Sequence, residues 1–277
     1  MSDFSTVSFL SFATSVLRLC VWLVLLAAIF VPVERLCALN PQKVFRKAIW
    51  ADLGFYFASS LLPGLILGLP FAMVAVAGHR IVPWAFQDAV AQAPLWVRMS
   101  AGLLIGELGA YWGHRLSHQI PFLWRFHAVH HEAEQMDWLV NTRSHPVDMV
   151  FIRICTLTPL FVLGFGGPSN GAEGSLVPAL VLVVGAAWGF FVHANVRWRF
   201  GVLEQLVATP AFHHWHHTLE GPINRNFSSM LPWLDKLFGT FHLPRRQWPA
   251  DYGISTQMDA SAASDDVAAS SRPLTSA

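Results

Sequence analysis

Three histidine clusters constrain this chain more than any other feature. Residues 113–131, GHRLSHQIPFLWRFHAVHH, hold five histidines, as H-x-x-x-H (His114, His118) followed by H-x-x-H-H (His127, His130, His131). A second H-x-x-H-H, at His213, His216 and His217, lies far downstream in TPAFHHWHH. On an α-helix, residues three and four apart share a face, so each cluster presents two or three imidazoles to a common point. Neutral imidazole suits iron, zinc, copper or nickel. Eight converging rings exceed what one metal uses. Adjacent His130 and His131, like His216 and His217, point roughly 100° apart on a helix of about 3.6 residues per turn. Each pair can then serve two metals, which favours a dinuclear centre.

Such a density of polar groups matters because the rest of the chain is apolar. Hydrophobic residues make up 54% and charged residues 13%, against about 25% charged in an ordinary soluble domain. The composition is that of a membrane protein. Apolar runs at 7–30, 53–77, 95–112, 150–165 and 176–192 approach or exceed the roughly 20 residues a bilayer requires. They predict an all-α, polytopic membrane bundle of five spans, with a helical cap at the membrane edge carrying the histidines. The first run lacks a basic n-region and an A-x-A-like site and reads as an uncleaved helix. Pro63, Gly64, Gly68 and Pro70 interrupt the second run, which leaves open one kinked span or a pair of half-helices. Residues 81–90 read as a short interfacial piece, and GFGGPSNGAEG between the last two runs as a turn-rich loop.

Lys and Arg outside the spans concentrate after the first run, in the histidine segment and from Arg197 onward. By the positive-inside rule every histidine cluster then faces the cytoplasm, with the N-terminus outside. Three regions are expected: membrane helices and linkers over 1–94, a catalytic domain over 95–249, and a disordered, Ser-, Ala- and Asp-rich tail over 250–277.

Several function classes fall away. A net charge of +1 with scattered basic residues gives no nucleic-acid signal. Cys20, Cys37 and Cys155 form no C-x-x-C and read as free thiols. Neither a nucleotide-binding glycine loop nor G-x-S-x-G occurs, and HHEAE lacks the second histidine of HExxH. A zinc hydrolase would have to take its acidic base from Glu132 or Glu134. A metal transporter would more often string its ligands along the spans, whereas these sit at span ends.

The order HRLSH, HAVHH, NTRSHPVD, HANVRW, TPAFHHWHH and NFSSMLPWLDKLFGTF, over residues 113–241, resembles the fatty acid hydroxylase and sterol desaturase superfamily of integral-membrane, non-haem di-iron oxygenases. The resemblance implies that His114, His118, His127, His130, His131, His213, His216 and His217 bind two iron ions, with His193 of H-A-N as a ninth ligand. Some relatives have a further histidine a turn beyond His193, where this chain has Arg197. His145 is expected to support the site without ligating, because Pro146 bars a helix across it. Asp148, Asn195 and Asp235 are expected to accept ring N–H bonds from ligands. His79, His214 and His242 are read as non-ligands.

The implied reaction is hydroxylation of a lipid C–H bond (fatty acyl, sterol-like or polar lipid) with O2 as co-substrate, desaturation being the alternative outcome. With no electron-carrier domain in the sequence, electrons are expected from an external ferredoxin-like or cytochrome-like donor. Arg225, Lys236, Arg245 and Arg246 are candidates to dock it. The expected location is the bacterial inner membrane, with the site facing the cytoplasm.

Overall fold

A computed structural model describes residues 2–78 and 80–254. His79 and residues 255–277 of the expected tail lie outside the described residues. Among the described residues the regular structure is helical, apart from two isolated β-bridges, Ala38 with Val196 and Thr218 with Tyr252.

Among the described residues three helices are long and apolar enough to cross a membrane: α1 (Ser2–Cys37) over its Phe9–Cys37 portion, α2 (Ile49–Gly78) and, later in the chain, the helix Leu176–His193. Large apolar side chains such as Phe9, Leu17, Val24 and Ile29 on α1, and Ile66, Leu69 and Met73 on α2, stand exposed, as lipid-facing surfaces do. Pro63 and Pro70 do not divide α2, which runs as one helix through both.

The other two expected spans are helical but do not meet the same measure of length and apolarity. After α3 (Trp84–Gln92), α4 (Leu95–Gln119) carries Arg98, Glu107 and Arg115 beside its two histidines. Following α5 (Pro121–His131), α6 (Pro146–Val162) has 17 residues; at 1.5 Å per residue it covers only about 25 Å of a hydrocarbon core of about 30 Å. It stops where Gly164 takes a φ of +84° and the Gln87 side chain donates to the Val162 carbonyl at 2.9 Å. The chain then continues through α7 (Leu176–His193), α8 (Pro210–His216) and α9 (Trp233–Leu237).

α4 lies along both α6 and α7. Its glycines make this approach possible: a Cβ at Gly109 would stand 2.2 Å from the Cys155 carbonyl oxygen, so the α4 and α6 backbones meet without side chains between them. Leu157, Leu160, Val177 and Val181 fill the space beside this contact.

A buried ionic network fixes the other side. Arg46 reaches Asp52 and Asp137, each at 2.5 Å, and Arg143 reaches Asp52 at 2.6 Å. Asp137 also accepts from the amides of Leu139 and Val140 at 3.1 and 3.2 Å, which caps the short 3-10 turn Trp138–Thr142. Glu34, near the end of α1, accepts from the amides of Trp138 and Asn195 at 2.8 and 2.9 Å. α1, α2 and the segment after α5 are thereby locked together, with the charges of the arginines matched.

Candidate metal centre

All nine histidines expected as ligands converge. They form two groups, His114, His118, His127, His131 and His216 in one and His130, His193, His213 and His217 in the other, with the candidate ligand atoms of each group within 4.8 Å of one another. The adjacent pairs His130–His131 and His216–His217 are split, one member to each group. His131 and His217 stack across the boundary with ring centroids 4.5 Å apart.

Local structure explains the delivery. His114 and His118 are one turn apart near the end of α4, and His127 and His131 one turn apart on α5, whose first residue is Pro121. α8 begins at Pro210 with Thr209 capping the Phe212 amide, and its seven residues carry His213 and His216. His193 is the last residue of α7.

The ring nitrogens fall into two roles. In the first group, Nδ1 of His114 donates to the Phe227 carbonyl (2.7 Å) and Nδ1 of His216 to the Arg225 carbonyl (2.8 Å). His127 Nδ1 meets the Asp148 carboxylate at 3.1 Å, and His118 Nδ1 meets the Asn224 side-chain oxygen at 3.0 Å. The Nε2 atoms of these four rings and of His131 are buried without a hydrogen-bond partner. In the second group His130 Nδ1 donates to the Arg143 carbonyl (3.0 Å) and His193 Nδ1 to the Gly189 carbonyl (2.7 Å). Both Nε2 atoms therefore carry lone pairs, yet they face each other at 3.2 Å, with His213 Nε2 3.0 Å from that of His193.

Burial, followed by repulsion among the rings, holds His118, His131, His213, His216 and His217 well below the ordinary imidazole value of 6.5, and His130 is pushed down to about 3. These rings are neutral at physiological pH, the form that binds metal. Buried acceptors aimed at one another, with no proton to share, are satisfied by a cation between them. Neither group contains a carboxylate or a thiolate. The donor set thus fits a pair of transition-metal ions with nitrogen preference.

The supporting residues divide. Asp148 holds His127 and is itself held by the hydroxyls of Ser144 (3.2 Å) and Ser117 (3.3 Å). Asn195 and Asp235 touch no histidine ring. Asn195 instead exchanges side-chain bonds with the Asn40 backbone. Asp235 gathers the amides of Phe227 and Ser228 (2.7 and 2.9 Å), the Ser228 hydroxyl and that of Thr240, and so fixes the turn whose Phe227 carbonyl orients His114. His145 accepts from the Val147 amide at the start of α6 and packs on Phe126, away from both groups. His214 pairs with the Tyr252 hydroxyl and His242 packs on Trp215. Glu132 and Glu134 are exposed and belong to neither group.

Sequence reading missed the orienting acceptors, most of which are backbone carbonyls. Asn224 is the exception. Its φ of +58° places it in a left-handed turn that asparagine tolerates, and INRN in the sequence is the available signal.

A family model for fatty acid hydroxylases matches residues 99–240, about half of the chain and every histidine of the two groups. The chain belongs to the fatty acid hydroxylase family. It is similar to the ornithine lipid hydroxylase OlsE of Rhizobium tropici, 38% identical over 168 residues, 59% of this chain and 47% of that one. It is similar also to human alkylglycerol monooxygenase, 31% identical over 147 residues (53% and 31% of the two chains). Methylsterol monooxygenase 2-2 of Arabidopsis thaliana is 27% identical over 153 residues (53% and 54%). The chain spans about half or less of the length of these curated relatives. No solved structure matches. Within the fatty acid hydroxylase family, then, this member brings nine histidines into two adjoining nitrogen-lined sites.

Proposed function

We propose that this protein is a membrane-embedded monooxygenase that hydroxylates a C–H bond of a lipid, using two iron ions held by the five- and four-histidine groups. The observation that carries this reading is the convergence of nine imidazoles on two points, the Nε2 atoms of the five-histidine group buried and unpartnered and those of His130, His193 and His213 facing one another at 3.0 and 3.2 Å. The named relatives are hydroxylases and monooxygenases acting on lipids, and O2 chemistry at a histidine-lined metal site calls for a redox-active ion, which sets iron ahead of zinc.

In this reading RH, O2, two electrons and two protons give ROH and water. Bound iron supplies the activation of O2 and the cleavage of the C–H bond. The protein fixes which nitrogen of each ring is free: the carbonyls of Phe227, Arg225, Arg143 and Gly189 and the carboxylate of Asp148 hold the Nδ1 protons, so Nε2 faces inward. A cavity of about 160 Å³ reaches the histidines between α4, α6 and α7, with Ala110, Ile152, Gly185 and Val192 in its walls. It is where an acyl or ring carbon would sit with water excluded.

The distribution of Lys and Arg supports a centre on the cytoplasmic side, where an external carrier would supply electrons. Lys236, Arg245 and Arg246 are exposed and Arg225 is half-buried near them in sequence, a basic set that would dock an acidic donor. A sterol 5(6)-desaturase is also among the similar proteins, so loss of two hydrogens is the second outcome tested. Purified iron-loaded protein, supplied with reductant, membrane lipid and 18O2, is expected to place one labelled oxygen in the lipid product. An unsaturated product without label would identify a desaturase, and no O2-dependent product would refute the reading.

A further inference from the structure

Two cavities meet at Asn141 and Met149. The inner one is the histidine-lined space of about 160 Å³; the outer one, about 290 Å³, lies among α1, α2, α6 and α7, and both residues line both. Asn141 can stand at this neck because position 189 is glycine: a Cβ there would lie 2.3 Å from its side-chain oxygen. Leu19, Trp22 and Leu26 of α1 wall the outer cavity on the bilayer side.

Most hydroxyls in the outer cavity are already committed. Tyr56 donates to the Leu19 carbonyl (2.8 Å), Ser59 to that of Ser144 (2.9 Å) and Thr142 to that of Leu139 (2.8 Å). Arg153 is not committed. It lies inside the fourth apolar run, one helical turn or about 6 Å beyond Met149 on α6, and is half-buried in the cavity wall. No carboxylate or hydrogen-bond acceptor among the described residues meets it. The nearby acids are spent: Asp148 on His127, Ser117 and Ser144, and Asp52 on Arg46 and Arg143.

A guanidinium set among apolar helices without a counter-charge is costly, and inside a membrane such a group marks a ligand path. Its planar fork matches a carboxylate in two-pronged fashion. We propose that the outer cavity binds the carboxylate of an acyl lipid on Arg153, and that the adjoining part of the chain passes Asn141 to the histidines. One guanidinium balances one negative charge, which favours a carboxylate over a dianionic phosphate monoester. The oxidation at the inner end rests on the monooxygenase reading; the carboxylate site does not.

The test is equilibrium binding of radiolabelled oleate, methyl oleate and oleoyl lysophosphatidate to the full chain in detergent micelles, with iron content measured on the same samples. Wild type is expected to prefer oleate to methyl oleate by roughly tenfold or more, the worth of a charge-assisted hydrogen bond. Arg153→Met is expected to bring the two affinities together without weakening methyl oleate, and Arg153→Lys to keep part of the preference. Equal affinities in wild type, tighter binding of lysophosphatidate than of oleate, or a preference that survives Arg153→Met would overturn the proposal.

If Arg153→Met does not fold, Ser60→Cys in the same cavity carries the test. Oleate, and not methyl oleate, is expected to slow its modification by a maleimide, read on its own peptide by mass spectrometry; equal protection, or none, would overturn the proposal. Protein that takes up no iron when loaded with it, yet still discriminates oleate, would refute the di-iron reading and leave the carboxylate site standing. Iron-loaded protein indifferent to the carboxylate would do the reverse.

Discussion

Nε2 of His130 stands 3.2 Å from Nε2 of His193, while the Nδ1 of each ring donates to a backbone carbonyl. Two lone pairs thus face each other in a buried site, an arrangement that a bound cation stabilises. Stripping metal with a chelator is therefore expected to lower the thermal unfolding midpoint in detergent, and readdition of ferrous iron to restore it. A midpoint indifferent to chelator would mean that the histidines are satisfied without metal.

His193→Ala removes one of the four nitrogens of its group and leaves the five-histidine group intact. Metal content is expected to fall by about half, with the residual metal in the five-histidine group. Full metal occupancy in this variant would remove His193 from the ligand set.

Asp148→Ala deprives His127 of its Nδ1 partner, 3.1 Å away, without touching a ligand atom. Partners of this kind are worth about 10–100-fold in metal affinity. Competition against a chelator of known affinity measures the loss; an unchanged affinity would make Asp148 a packing residue only.

The centre was legible in the sequence because its chemistry is local. The spacings 114/118, 127/131 and 213/217 are helical turns, and a turn is all that is needed to aim two rings at one point. What orients those rings was not legible. Phe227, Arg225, Arg143 and Gly189 act through carbonyl oxygens that every residue possesses, and only the tertiary fold selects them. Asp235 looked like a ring acceptor but supports backbone, one step removed from His114. Arg46 reads as one more cytoplasmic cation by composition, whereas its partners Asp52 and Asp137 lie on either side of the network in space and far apart in sequence. Arg153 stands in the sequence as a charge within an apolar run, as Arg18 does, and its lack of a partner is visible only in the fold.

That network carries its own expectation. Asp52→Ala leaves Arg46 and Arg143 without the carboxylate they share, and breaking a buried pair costs about 3–5 kcal/mol. Because the Arg143 carbonyl also orients His130, reduced thermal stability is expected together with weaker metal retention in the four-histidine group. Wild-type values of both would show the network to be dispensable.

Helix contact is tested by Gly109→Ala, whose added Cβ would lie 2.2 Å from the Cys155 carbonyl oxygen. α4 and α6 must then separate, which pulls Ser117 of α4 away from Asp148 of α6, the partner of His127; loss of folded, metal-binding protein is expected. Gly54→Ala on α2, with nothing within 4 Å of the added carbon, serves as the control, and is expected to be neutral or stabilising by about 0.5–1 kcal/mol. Equal behaviour of the two variants by size-exclusion chromatography and metal analysis would contradict the close helix contact.

The most direct measurement is the metal itself. Protein purified anaerobically in detergent and loaded with iron-57 is expected to hold about two irons per chain, as an all-nitrogen pair of sites implies, and its oxidised form to show the Mössbauer signature of a coupled pair. A single zinc, or iron atoms that behave as isolated ions, would contradict a di-iron centre built from these nine histidines.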